Sequence, residues 1–181
     1  MLGTYFLIEY LHETGNDDLV YTIASQESYP GWGYMLSRGA TTLWEQWNGY
    51  WSHIHSCFAS LDGWFYEALA GIQPDPAAPG FKKIVIRPAV VGNVQWAKGH
   101  YDSIHGRIAT AWKRDGDAFE MDVAIPANTS ATVYVPAKDA GQVTESGKPA
   151  AKAEGVTFLR MQDRSAVYAV GSGTYRFRSV Y

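Results

Sequence analysis

The sequence predicts an α+β chain in which a helical first part is followed by an antiparallel β-sandwich. One observation is a change of period, because apolar residues recur every three to four positions up to about residue 73 and every second position from about residue 81. Another is the segment between them, residues 73–80, whose three prolines and glycine disfavour regular structure. We therefore expect two domains, at residues 1–78 and 79–181.

The apolar spacing of the first domain predicts three helices. The first ends at Gly15, and the second starts after Asn16, a favourable N-cap residue, and ends before Pro30. The third is a long amphipathic helix that follows an Asn48-Gly49 turn. The apolar positions that define them are Phe6, Leu7, Tyr10 and Leu11; Leu19, Val20, Ile23 and Ala24; and Phe58, Leu61, Phe65, Ala68 and Ile72.

The second domain has the pattern of many short strands separated by turns. Asp115-Gly116 is typical of a hairpin turn, and the alternation on both sides of it fits two paired strands. Strands are predicted at residues 83–87, 94–101, 107–113, 119–125, 131–135, 142–145, 156–159, 166–170 and 174–177. Such a series indicates an antiparallel β-sandwich.

Composition and charge exclude several functions. The net charge of −3 comes from scattered acidic and basic residues, so there is no basic face for nucleic acid. No apolar run approaches the roughly 20 residues of a membrane span, and the first residues lack the pattern of a signal peptide, which slightly favours a cytoplasmic location. The one cysteine, Cys57, excludes an internal disulfide and is expected to be a buried, small apolar residue.

A stretch rich in tryptophan lies between the second and third predicted helices. It contains Trp32, Trp44, Trp47 and Trp51, four of the seven tryptophans, together with Glu45. Flat apolar rings around one carboxylate suit a sugar pocket, and such a carboxylate can exchange a proton near neutral pH. The alternative, which composition alone favours, is that the rings pack a core and that Glu45 is a solvated surface acid.

Several segments occur in a characteristic order along nearly the whole chain. They are Tyr29-Pro-Gly-Trp-Gly-Tyr-Met-Leu, Gly39-Ala-Thr-Thr-Leu-Trp-Glu-Gln-Trp, His55, Trp64-Phe-Tyr, Ala70-Gly-Ile-Gln-Pro-Asp, Pro79-Gly-Phe-Lys, Ile86-Arg-Pro, Trp96-Ala-Lys, Tyr101-Asp-Ser, Gly106-Arg-Ile, Trp112-Lys-Arg-Asp-Gly-Asp, Ile125-Pro-Ala-Asn-Thr and Glu145-Ser-Gly-Lys. In this order they resemble the C-terminal part of the bacterial α-L-rhamnosidases of glycoside hydrolase family 78. Ordered segments of this length are far more specific than one short motif.

The resemblance implies an inverting hydrolase that releases terminal α-L-rhamnose from rhamnose-containing glycosides. It also implies a fold, the last helices of a six-hairpin α/α barrel followed by the β-sandwich. Glu45 matches the general base of the family and His55 matches a histidine that contacts rhamnose, while Trp44 and Trp47 flank the base and are expected to bind the substrate. No metal or organic cofactor is implied, and His53 and His55 have a spacing that does not favour a metal pair.

The chain departs from the family in one respect that concerns catalysis. An inverting glycosidase needs two carboxylates, roughly 6.5–9.5 Å apart, and nothing here resembles the upstream acidic segment that holds the general acid of the family. The chain is therefore expected to be a C-terminal fragment that carries half of the catalytic pair and is inactive alone. We also expect that the barrel face left exposed can mediate oligomerisation.

Two readings from other classes remain open. A non-catalytic carbohydrate-binding module would use a platform of Trp96, Tyr101 and Trp112, although these residues alternate as core residues would. A purely structural module would contribute only an apolar surface to an assembly.

Overall fold

The computed structural model describes residues 2–56 and 59–181. Cys57, expected to be buried, and Phe58, expected on the third helix, lie outside the described residues. The chain forms two compact units, which are described separately. The helical unit comprises Met1–Phe65 and Val90–Asn93, and the sandwich unit comprises Tyr66–Ala89 and Val94–Tyr181.

Four α-helices are formed by the described residues of the helical unit: α1 (Leu2–Glu13), α2 (Asp17–Ala24), α3 (Trp32–Ser37) and α4 (Ser60–Trp64). Gly15, at φ +75°, ends the turn after α1, as predicted. The Asp17 carboxylate lies 2.8 Å from Nδ1 of His12 and accepts a hydrogen bond from Nε1 of Trp64 at 2.7 Å. This one carboxylate therefore ties α1, α2 and α4 together.

The prediction of a single long third helix is wrong. The α-helix ends at Trp64, a π-helical turn covers Phe65–Leu69, and Ile72 begins a strand. Gly71 accounts for the end of the helical run before Ile72, because it has φ +72° and a Cβ there would lie 2.5 Å from the backbone nitrogen of Pro88. The short helix α3 was not predicted, since its six residues give too little periodicity to recognise.

Two sheets make up the sandwich unit. The five-stranded sheet has the order β1-β2-β6-β10-β9 and the six-stranded sheet the order β3-β4-β5-β11-β7-β8. The strands are β1 (Ile72–Pro74), β2 (Lys83–Ile86), β3 (Trp96–Ser103), β4 (Gly106–Asp115), β5 (Ala118–Ile125), β6 (Ser130–Pro136), β7 (Thr144–Glu145), β8 (Lys148–Pro149), β9 (Val156–Gln162), β10 (Ser165–Val170) and β11 (Gly173–Val180). All nine predicted strands are present, with some shifted ends.

The core of the sandwich lies between the sheets. Phe119, Met121 and Val123 alternate with more exposed residues along β5, which is the pattern of a strand with one buried face. Tyr168 of β10 and Phe177 of β11 stack with ring centroids 5.9 Å apart and join the two sheets. Burial raises the pKa of Tyr168 to about 12.

Three features of the sandwich differ from the prediction. The strands β1 and β8 were not predicted, and β2 pairs with β6 in parallel, whereas the other pairs are antiparallel in the described part of the chain. Pro74 is tolerated in β1 because β1 is an edge strand. Since β1 pairs with β2, the compact units divide at Phe65/Tyr66, earlier than the domain boundary expected at 78/79.

Across the described residues, no helix combines the length and apolar character that a membrane crossing requires.

Candidate functional site

The loop between α3 and α4, which carries Glu45, is folded back on itself. The Glu45 N–H donates to the carbonyl of Ser52 at 2.7 Å, and the His55 N–H donates to the carbonyl of Leu43 at 2.9 Å. The segments on either side of the turn therefore run antiparallel, although residues 38–56 form no regular strand. This arrangement brings the backbones of the two predicted site residues, Glu45 and His55, into neighbouring segments.

A tight turn at residues 46–49 joins these two segments. The Gly49 N–H donates to the carbonyl of Gln46 at 3.0 Å, and Gly49 has φ +77°. A side chain at this position would meet the Trp44 ring, because a Cβ would lie 2.9 Å from it. Glycine at position 49 therefore allows the close approach of the turn to Trp44, and the predicted Asn48-Gly49 turn is confirmed.

The Glu45 side chain is half-buried and oriented by the backbone of the facing segment. Its Oε2 accepts a hydrogen bond from the N–H of Ser52 at 3.3 Å. Ser52 thus binds Glu45 twice, through its carbonyl and through its N–H. Trp51, the preceding residue, has φ +69°, an uncommon conformation for a bulky side chain. The backbone of Ser52 therefore orients the Glu45 carboxylate within the folded loop.

Both predicted sugar-binding tryptophans pack against other rings of the helical unit. Trp44 is 8% exposed and stacks on His53, with ring centroids 4.9 Å apart. Trp47 is half-buried and meets Trp32 edge to face at 5.2 Å. These ring contacts hold both indoles, which lie close to Glu45 in the sequence. The Trp47 side chain stays more exposed to solvent than the Trp44 side chain.

The two histidines of the loop differ in their contacts. Nε2 of the His53 ring lies 2.8 Å from the carbonyl oxygen of Gly49. The backbone carbonyl of His53 accepts a hydrogen bond from the Thr42 hydroxyl. The half-buried His55 is anchored through its backbone to Leu43. Sequence reasoning missed Ser52, since a backbone N–H carries no residue-specific signal. It considered His53 only as half of a metal pair, since the stacking of His53 on Trp44 depends on the turn.

No group of three or more His, Cys, Asp or Glu side chains arranged to hold a metal ion is found in residues 2–56 and 59–181.

The sugar-binding platform considered for the second domain does not form. Trp112 is 3% exposed and donates from Nε1 to the carbonyl of Leu69 at 2.6 Å, so it belongs to the core. Tyr101 packs against Phe81 with ring centroids 4.6 Å apart. The strand register places Trp96 on the opposite face of β3 from Tyr101, because they are an odd number of residues apart.

Comparison with known families defines both parts of the chain. Residues 1–69 match the bacterial alpha-L-rhamnosidase 6 hairpin glycosidase domain, and residues 71–150 match the bacterial alpha-L-rhamnosidase C-terminal domain. The chain thus combines the end of a helical glycosidase domain with the C-terminal domain that follows it.

Individual relatives agree with this assignment. Over 97% of the present chain, the sequence is 34% identical to an α-L-rhamnosidase of Streptomyces avermitilis. Over 75% of the present chain, it is 37% identical to an α-L-rhamnosidase of Alteromonas sp. (strain LOR). The crystal structure of the S. avermitilis enzyme complexed with L-rhamnose superimposes with a TM-score of 0.86 at 33% identity over 97% of this chain. The structure of the α-L-rhamnosidase from Dictyoglumus thermophilum superimposes with a TM-score of 0.85 at 34% identity, also over 97% of this chain.

The chain therefore belongs to the bacterial α-L-rhamnosidase family, and the resemblance seen in the sequence is confirmed. It covers 17% of the S. avermitilis protein, 16% of the Alteromonas protein and 20% of the D. thermophilum chain. The fold class is confirmed with it, as the end of a six-hairpin domain followed by a β-sandwich.

Proposed function

We propose that this chain is the C-terminal part of an inverting α-L-rhamnosidase and supplies the general base, Glu45. The observation that carries the proposal is the double contact of Glu45 with Ser52, which fixes both the backbone and the carboxylate of Glu45 in the folded loop. The relatives, which are α-L-rhamnosidases, support the substrate class, a glycoside with terminal α-L-rhamnose.

In the proposed reaction, the ionised Glu45 carboxylate accepts a proton from a water molecule. The water oxygen bonds to the anomeric carbon on the face opposite to the departing glycosidic oxygen, and the C–O bond to that oxygen breaks. A second carboxylic acid protonates the departing oxygen, so that the charges balance and the configuration at the anomeric carbon inverts. We propose that this acid comes from a segment of the enzyme with no match in this chain.

His55 and Trp47 are proposed to hold the rhamnose next to Glu45, and Trp44 is proposed to support the loop that carries them. An imidazole can exchange hydrogen bonds with sugar hydroxyls, and the half-buried face of Trp47 offers an apolar surface for C–H groups. Trp44 would act mainly through its stack on His53, which supports the turn at Gly49. The three residues thus have distinct proposed roles: hydrogen bonding, apolar contact and support of the loop.

Hydrolysis of an aryl α-L-rhamnoside tests the role of Glu45, with the anomer of the released sugar followed by NMR. In the proposed full-length enzyme, Glu45→Gln should lower kcat by about 10²- to 10⁴-fold, since it removes a general base while keeping the shape of the side chain. Glu27→Gln, at an exposed carboxylate of the same unit, is the matched control and should be neutral. A Glu45→Gln enzyme with a near-normal rate would refute the assignment.

The 181-residue chain gives a second test. It should not turn over the substrate, because we propose that half of the catalytic pair lies elsewhere. Turnover by the chain alone that is lost in Glu45→Gln would mean that the chain or a second copy supplies the acid, and the division proposed here would be wrong.

A further inference from the structure

The outer face of the six-stranded sheet carries a groove with a floor of alanines. Strand register places Ala109 opposite Ala124, and Ala111 opposite Asp122. Alanine is depleted in strands, where larger side chains normally cover an exposed face. The small side chains leave a hollow of about 330 Å³, which is within the range of sites for small molecules.

Two further hollows adjoin this one, and all three share Asp122 in their walls. Five cationic side chains line them: Lys98, Arg107, Lys113, Arg176 and Arg178. The carboxylates in the same walls are Glu120 and Asp122, and Asp102 is ion-paired with Arg107, so that five positive and three negative charges give a formal excess of +2. The chain as a whole carries −3. The groove is thus a positive region of an acidic chain and favours an anionic ligand.

Ion pairs hold several of these side chains in defined positions. Both Arg176 and Arg107 contact carboxylates through two nitrogens, Arg176 with Asp122 at 2.6 and 3.4 Å and Arg107 with Asp102 at 2.7 and 3.1 Å. The hydrogen bond from Arg107 holds the pKa of Asp102 below its usual value, so this pair is ionised at neutral pH. The pairs orient the Arg107 and Arg176 guanidinium groups along the wall of the groove.

Lys98 and Trp96 stand beside the alanine floor on β3. Register places Lys98 opposite Ala111, and Trp96 lies two residues before Lys98 on the same face. The Trp96 side chain is 67% exposed and lines the adjoining hollow of about 190 Å³ together with Lys98 and Ala111. An exposed indole can lie against the apolar face of a pyranose ring, and the neighbouring lysine can pair with a negative charge on that ring. The Asp122–Arg176 pair can exchange hydrogen bonds with its hydroxyl groups.

We propose that this groove is a second, non-catalytic binding site for an acidic saccharide. Its carboxylate bonds to Lys98, its hydroxyl groups meet the paired side chains of Asp122 and Arg176, and an apolar face of the sugar lies against Trp96. The site is built entirely from the sandwich unit and does not depend on Glu45.

Titration of the ¹⁵N-labelled 181-residue chain with D-galacturonate, followed by NMR, tests this proposal. D-galactose serves as the neutral counterpart of the sugar, and acetate as a carboxylate without a ring. Galacturonate should shift the amides of β3, β4 and β5 next to the groove and bind at least five-fold more tightly than either control. Comparable shifts with acetate would show a site for simple anions, and comparable shifts with galactose would remove the role of charge; either result would overturn the proposal.

Substitutions in the groove and away from it test whether galacturonate binds in the groove. Lys98→Gln should weaken galacturonate binding at least five-fold, and Ala111→Leu should do the same by filling the floor. Lys152→Gln makes the same charge change at an exposed residue away from the groove and should have no effect. If Lys98→Gln and Lys152→Gln bind equally well, or if the shifts map elsewhere, the groove is not the site. Glu45→Gln should leave this binding unchanged, so failure here and failure of the proposed catalytic role can be told apart.

Discussion

The helical unit and the sandwich unit differ in what they do with large apolar side chains. In the helical unit Phe6 is 65% exposed and Ile54 is 85% exposed, whereas Phe119 and Phe177 of the sandwich are 1% and 0% exposed. The sandwich still exposes Ile104 at 88% and Trp96 at 67%, but its two sheets bury their inner faces against each other and complete a core. A helix buries one stripe of its surface and needs neighbours to cover the rest. We therefore expect the sandwich to be the more stable unit and the helical unit to seek partners.

The largest expected effect comes from truncating one phenylalanine in each unit. Phe177→Ala should lower the free energy of unfolding of the sandwich by about 3–5 kcal/mol, because it removes a fully buried ring. Phe6→Ala, at an exposed position of α1, should change the stability by less than about 0.5 kcal/mol. Urea unfolding followed by circular dichroism measures both, and equal losses would contradict the difference in burial between Phe177 and Phe6.

Alanine substitutions of Gly49, in the loop of Glu45, and of Gly116, in a simple hairpin, should differ in their effect on stability. Gly49→Ala should destabilise the helical unit by about 2 kcal/mol, since it combines a left-handed backbone with a contact on Trp44. Gly116→Ala, at φ +55° with open space around it, should cost about 1 kcal/mol in the sandwich. Tryptophan fluorescence should change only for Gly49→Ala, and a Gly49→Ala chain with unchanged emission would show that the turn does not support Trp44.

The exposed apolar surface of the helical unit predicts self-association. The double change Phe6→Glu and Tyr10→Lys replaces two exposed aromatic residues of α1 with opposite charges and keeps the net charge. It should weaken dimerisation of the chain at least ten-fold, or about 1.4 kcal/mol, because it removes apolar area from the contact. The change Phe158→Glu and Leu159→Lys on β9 of the sandwich is the control. Sedimentation velocity over a range of concentrations would contradict the proposal if the two variants behaved alike.

The smallest effect concerns alkaline pH and the buried Tyr168. Its pKa is raised from 10 to about 12 in the folded chain, so its protonated form stabilises the fold fully below about pH 10, and this contribution is lost as the pH rises towards 12. Between pH 9 and 11 the free energy of unfolding should fall by about 1 kcal/mol more in the native chain than in Tyr168→Phe. Parallel pH profiles of the two chains would show that Tyr168 does not titrate in this way.

Local patterns were enough to predict most of the sandwich. The period-two alternation from Phe119 to Ile125 reflects one buried face, so it identifies β5 without knowledge of its partners. The third helix was mispredicted because the residues after Trp64 keep a helical spacing although Gly71 and the pairing of Ile72 with Ile86 end it. Tertiary pairing overrode the local pattern there.

The candidate site was predictable to a smaller extent. His55 could be named only through the resemblance of its segment to a family, whereas Glu45 was also marked by the tryptophans around it. The roles of both stay predictions. The bond from Ser52 to Glu45 could not be predicted, since any residue with a backbone N–H can donate it.

The sequence by itself determined the two-part architecture and the family, because periodicity and ordered motifs are properties of the chain alone. The tertiary structure decided which tryptophans are accessible, that the edge strand β1 joins the sandwich, and that alanines and cations from separate strands form one groove. These features depend on strand register and on the packing of residues far apart in the chain, and local sequence does not encode them.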